Sequence, residues 1–360
     1  MYNNSYVYKF IMQIKNHLSE DTEHYLFVKH YNPISITEDL FHSSYSLLQD
    51  SKNEPLLLCY EFTSSQMQSS FEPFLIWIRN LYIAYFPEVS PDEFIKACHI
   101  YPLHEQLFIS YLDTETMSRV EDVILSEIDY ERTRMNQSIL SILGYIANKL
   151  PLIIILNQTH YAQKSTIDFL YALITSKPIK NFGIIISYNE VIPVISYAKE
   201  SWETLTGYAE KKHHLINWGT TERQQPISPT IRFSPRTTFF PSYIQLLHNM
   251  VYTLAIEQAN YYLDILYKKL EVEHCFVAKN LKAQILYLYA LTTIYLGDPS
   301  KALLLLNKLK KSLDLEKDSI MYFECIYLSG IAQIQNGLFD LAIKKSEQCL
   351  DIAPKENHDY

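Results

Sequence analysis

Residues 150–174, LPLIIILNQTHYAQKSTIDFLYALI, constrain the fold of this chain more than any other stretch. Four apolar residues in a row, Leu152 to Ile155, stand behind Pro151, and a helical pattern follows from about Ser165. A short apolar run feeding a helix is the pattern of a strand buried in a parallel α/β sheet. The same alternation recurs on both sides. Tyr25 to Lys29, Pro55 to Tyr60 and Phe182 to Ser187 read as strands. Helical periodicity covers Phe10 to Leu18, Ile36 to Leu48, Phe71 to Tyr82 and Asp129 to Lys149, with shorter helical pieces up to about residue 112. Strands alternating with helices favour a mainly parallel sheet.

Past residue 220 the texture changes. Pro226, Pro229, Pro235 and Pro241, with interspersed Ser and Thr, mark a linker over 223–240 that separates residues 1–222 from 241–360. No strand is evident beyond Pro241. Instead YALTTIYLGDPSKALLLL (289–306) aligns with SGIAQIQNGLFDLAIKKS (329–346) at a constant offset. Ala290 matches Gly330, Gly297 matches Gly337, and Ala302 matches Ala342. Small residues there allow two antiparallel helices to approach closely, and the glycine serves the turn. A third copy over Tyr243–Leu270 lacks the glycine. The pattern resembles the tetratricopeptide repeat at a longer period. The expected fold class is therefore α/β plus all-α: a mainly parallel sheet flanked by helices, then an α-solenoid of helix pairs.

Composition excludes several function classes. The chain has 7 glycines in 360 residues, where average usage would give roughly 25. The first is Gly144, and none forms GxxxxGK[ST] or GxGxxG. A phosphate-cradling loop needs glycines, because backbone N–H groups must approach the phosphates closely. The net charge of −9 and short basic clusters (Lys211–Lys212, Lys308 to Lys311) leave no electrostatic footprint for nucleic acid. Scattered cysteines without CxxC spacing, and an N-terminus without a basic, then apolar, leader, set the expectation of a reducing cytoplasm. No apolar run is long enough to span a bilayer.

The central stretch resembles the signal-transduction NTPases with numerous domains, a branch of the AAA+ ATPases that often joins a P-loop nucleotide module to tetratricopeptide repeats. In that family the third strand ends in two acids, which hold Mg²⁺ and orient water. Here those positions are Asn157 and Gln158, followed by His160, Tyr161 and Ala162, which match or approximate the family pattern. Asn189 stands where the next strand carries a basic residue. HYNPISIT (30–37) falls on the phosphate loop, where Thr37 alone survives and Ile36 replaces the lysine. The resemblance covers roughly residues 10–220. It implies a P-loop NTPase-like sheet with a vestigial pocket at Thr37, Asn157, Gln158 and Asn189. No catalytic residue, no cofactor and no metal are expected there.

The implied role is a non-catalytic scaffold or regulatory protein acting through protein–protein interaction. Its partner would be an intact homologous ATPase or a peptide or helix. The alternatives are an ATP-dependent switch and a transcription regulator of the maltose-activator-like class; the charge and the lack of a helix-turn-helix candidate weigh against the second. In tetratricopeptide arrays the first helix of each pair lines the concave groove. That implies a partner-binding face of Gln284, Tyr287, Leu291 and Tyr295, with Glu324, Tyr327, Ile331 and Gln335 at equivalent places. The competing reading has these tyrosines packing against the α/β domain or a further repeat, and self-association through the end of the array is a further option. The histidine pairs His213–His214 and His99/His104, and His274–Cys275, lack partners at metal-ligand spacing. Lys164-Ser165-Thr166 imitates the end of a phosphate loop but reads as a helix start.

Overall fold

The computed structural model describes residues 25–30, 55–64, 67–114, 128–218, 240–272, 278–313 and 319–352. The helices expected at Phe10–Leu18 and Ile36–Leu48, Thr37, and all of the linker up to residue 239 lie outside the described residues. The chain divides into two compact units, Met1–Ser234 and Pro235–Tyr360.

In the first unit, β1 (Tyr25–His30), β2 (Leu56–Glu61), β3 (Leu152–Asn157), β4 (Phe182–Asn189) and β5 (Leu215–Trp218) form one sheet in the order β2-β3-β4-β1-β5. Every neighbouring pair is parallel. β3 and β4 are buried at every position, as continuous Ile-rich runs require when both faces of a sheet are covered. β2, at the edge, is mostly half-buried. Leu26, Val28, Ile155 and Ile185 form one apolar cluster on a sheet face. The helices are α1 (Phe74–Tyr85), α2 (Pro91–Ala97), α3 (Pro102–Thr114), α4 (Ile128–Lys149), α5 (Lys164–Thr175) and α6 (Lys199–Lys211). α1 packs against α3 and α4, and α5 packs against α4 and α6.

Local chemistry sets the boundaries. Ser90 caps α2 in a reciprocal capping box with Glu93, and Pro91 opens the helix where its missing N–H costs nothing. The helix expected from Phe71 starts three residues later. Phe71 sits at φ 54 and its carbonyl accepts from Phe74 N–H at 2.8 Å, so the chain turns before the helix begins. The sequence reading missed β5 and α6. β5 is a four-residue edge strand entered from His213, which adopts φ 60 and ends α6.

The second unit is helical among its described residues: α7 (Phe240–Tyr252), α8 (Ile256–Val272), α9 (Lys279–Tyr295), α10 (Pro299–Ser312), α11 (Ser319–Gln335) and α12 (Phe339–Ile352). Each helix packs on the next along the chain. The expected linker end at residue 240 is corrected, since Phe240 is fully buried as the first residue of α7.

The three tight turns share one geometry. Asp298 N–H reaches Thr293 O at 3.0 Å, Leu338 N–H reaches Gln333 O at 2.8 Å, and Ala255 N–H reaches Met250 O at 2.8 Å. These are the long bonds of a Schellman ending, which places one residue in the left-handed region. Gly297 (φ 77) and Gly337 (φ 73) take that place, and Leu254 (φ 60) takes it in the first hairpin. The hairpin without the glycine thus makes the same turn at the cost of local backbone strain. At Gly330 an added Cβ would stand 3.5 Å from Lys345 Cβ, so α11 and α12 are in close contact there.

Candidate functional site

The connections after β1 and β4 leave in opposite directions along the sheet, β1 toward β2 and β4 toward β5. In parallel sheets the carboxyl ends of two such strands open the crevice where ligands bind. Here those ends carry a buried polar cluster: His30 of β1, Asn157 of β3, Ser187 and Asn189 of β4, and Gln158 and His160 just past β3.

The cluster binds itself. Ser187 Oγ donates to Asn157 Oδ1 at 2.8 Å. The Asn189 backbone N–H donates to His160 Nδ1 at 3.1 Å, and Asn189 Oδ1 accepts from Val191 N–H at 2.9 Å. Since Nδ1 accepts, the ring proton of neutral His160 sits on Nε2, which has no hydrogen-bond partner among the described residues. Burial, and then the neighbouring His30, pushes the His160 pKa down to about 3. The imidazole is therefore neutral at pH 7. Gln158 adopts φ 56, and its carbonyl receives Tyr161 N–H at 2.9 Å, which turns the chain from β3 into α5.

Charge is placed outside this cluster. Lys29 pairs with Glu190 at 2.5 Å, and Glu61 at the end of the edge strand is exposed. Among the described residues no group of three or more His, Cys, Asp or Glu converges in a way that could hold a metal. Of the expected vestigial pocket, Asn157, Gln158 and Asn189 come together and Thr37 lies outside the described residues. The sequence reading missed His30 and Ser187 as members. Lys164-Ser165-Thr166 opens α5, where Ser165 Oγ accepts from Phe71 N–H at 3.2 Å and Thr166 Oγ1 donates to the Glu72 carbonyl at 2.9 Å.

A second buried cluster lies between α3 and α4. His104 Nδ1 stands 2.9 Å from Ser138 Oγ, and its Nε2 stands 3.6 Å from Glu131. Arg134 engages Glu131 at 2.5 Å and stacks over the rings of Tyr101 and Tyr130 at 4.2 and 3.9 Å. Glu131 would favour a charged His104, but Arg134 already counters that carboxylate. Burial and Arg134 prevail, and His104 is held down at about 4. Serine, histidine and glutamate here imitate a nucleophilic triad, yet His104 and Ser138 are each 1% exposed. A substrate cannot reach them, so the cluster is a packing device. His214 Nδ1 lies 3.0 Å from the Tyr25 carbonyl and helps dock β5, and His274–Cys275 lies outside the described residues.

The expected partner face falls on α9 and α11. Tyr327 is half-exposed and Gln335 is exposed, whereas Gln284, Tyr287, Tyr295, Glu324 and Ile331 are partly buried. Leu291 is 8% exposed, so this one position is corrected from the face to the packing of α9. Nearby, Tyr289 is buried, donates to Asp264 Oδ1 at 2.5 Å and lies beneath Lys301 at 4.6 Å. No protein-family model matches this chain, and no curated protein matches it in sequence.

Proposed function

We propose that the first unit is a P-loop NTPase-like sheet without nucleotide chemistry, and that the chain is a non-catalytic scaffold or regulatory protein. Its tetratricopeptide-like helix pairs supply the binding surface. One observation carries the reading. At the strand ends of the crevice, Ser187 bonds to the Asn157 amide and the Asn189 backbone bonds to the neutral His160 imidazole. Holding Mg²⁺ and activating water there would require carboxylates. Asn157 instead spends its carbonyl oxygen on Ser187, at the position where the family resemblance places an acid.

A nucleotide would also need a counter-charge for its phosphates. Lys29 lies close by but is paired with Glu190. Binding energy is then left to the helix pairs, where half-exposed Tyr327 beside Ile331 offers the aromatic and aliphatic character of an interface anchor. The test is a turnover assay on the purified chain with Mg·ATP, expected to stay at background. Turnover that disappears in Asn157→Ala would refute the reading and favour an active switch. Capture from a native lysate, repeated with Tyr287→Ala/Tyr327→Ala, identifies the partner class.

A further inference from the structure

The helix pairs show which sector of a second helix the next pair covers. On α10 the Leu306 carbonyl accepts from Cys325 Sγ at 3.4 Å, and Lys310 lies over the Tyr322 ring at 5.4 Å, both partners being on α11. Leu306 is 1% exposed as a result. At the forty-residue offset that aligns 289–306 with 329–346, the same sector of α12 falls on Phe339, Ile343, Ser346 and Leu350. These residues recur at helical spacing and form one narrow stripe. Phe339 is 61% exposed, Ile343 58% and Leu350 80%. One flank of the stripe is closed by Ala342 and Cys349, buried and half-buried, and the other carries Asp340, Lys344 and Glu347, all exposed.

We propose that this stripe is a homodimer surface, and that α12 of one copy packs antiparallel on α12 of a second copy of this chain. The stripe is symmetric about the midpoint between residues 344 and 345. A two-fold axis there sets Phe339 against Leu350 of the second copy, and Ile343 against its Ser346. The flank is complementary under the same operation. Glu347 of the second copy arrives about 3 Å along the axis from Lys344, and the reverse pair forms on the other side of the dyad. An isologous contact of this kind closes on itself and stops at two copies. One helix pair buries less than the ~1,200–2,000 Å² of a stable interface, so the association is a weak, concentration-dependent one. The inference goes beyond the scaffold reading and stands whether or not the first unit binds nucleotide.

Analytical ultracentrifugation of the full chain across a micromolar concentration series tests it. The weight-average mass should rise from that of one chain toward that of two. Ile343→Asp/Leu350→Asp should keep it at one chain with an unchanged helical circular dichroism spectrum. Lys344→Glu should weaken the dimer about tenfold, since two attractive pairs become repulsive. Lys344→Glu/Glu347→Lys should restore it, a rescue that requires residue 344 of one copy to face residue 347 of the other. A monomer at every concentration would overturn the proposal and leave the stripe to a helix of another protein. A dimer insensitive to Ile343→Asp/Leu350→Asp would overturn it by placing the contact elsewhere.

Discussion

Replacing His160 with asparagine should remove a specific acid-induced loss of stability from the first unit. The native ring is fully buried, accepts the Asn189 N–H on Nδ1, and has its pKa pushed down to about 3 by burial and then by His30. In the unfolded chain the group titrates at its ordinary value of 6.5. The folded value is the depressed one. The contribution of the neutral ring is therefore complete above about pH 6.5 and is lost as the pH falls from there through the folded value. Each unit is worth about 1.4 kcal/mol, so at about pH 4.5 the wild type has lost about 2.7 kcal/mol through this ring alone. Asparagine can still accept from Asn189 but does not titrate. The variant should cost about 1 kcal/mol at pH 7 from altered packing, then lose less on acidification, so that the two proteins cross at about pH 5.8 and the variant is the more stable by about 1.7 kcal/mol at about pH 4.5. Urea unfolding followed by tryptophan emission is selective for this unit, because Trp77, Trp202 and Trp218 all lie within it. Parallel pH profiles for the two proteins would refute the reasoning, since they would mean that the ring titrates in solvent and that the crevice is open.

Asn157→Asp should lower stability at pH 7 by about 1–3 kcal/mol, since the new carboxylate would be buried with the Ser187 hydroxyl as its donor and no basic side chain bonded to it among the described residues; Mg²⁺ should not restore the melting temperature. Gly337→Ala should cost about 1 kcal/mol because the residue sits at φ 73, whereas Gly330→Ala should be neutral to mildly stabilising because the new methyl meets Lys345 Cβ at an ordinary 3.5 Å. Thermal melts by circular dichroism compare the two directly. Tyr287→Ala/Tyr327→Ala should abolish partner capture while shifting the thermal midpoint little; a large midpoint drop with capture intact would place the tyrosines in the core.

The strands were legible where apolar runs are unbroken, as at Leu152 to Ile155, because a strand buried on both faces has no polar positions to confuse its pattern. β5 was not legible. A four-residue edge strand, Leu215–Trp218, offers too short a period to separate from a loop. The hairpin turns at Gly297 and Gly337 announced themselves through glycine, while Leu254 concealed the same turn behind a residue that rarely adopts positive φ. At the crevice, Asn157, Gln158 and Asn189 were legible as amides where acids and a base would be needed. Their bonds were not, because Ser187 is thirty residues from Asn157 and His160 is twenty-nine from Asn189. Only the sheet register brings them together.

The central claim is that the crevice at the ends of β1, β3 and β4 no longer serves a nucleotide. Isothermal titration of the full chain with Mg·ATP tests it most directly. The account predicts no saturable heat in the micromolar range, because the strand ends present mutually bonded neutral groups. Saturable micromolar binding that weakens in Asn157→Ala would contradict it.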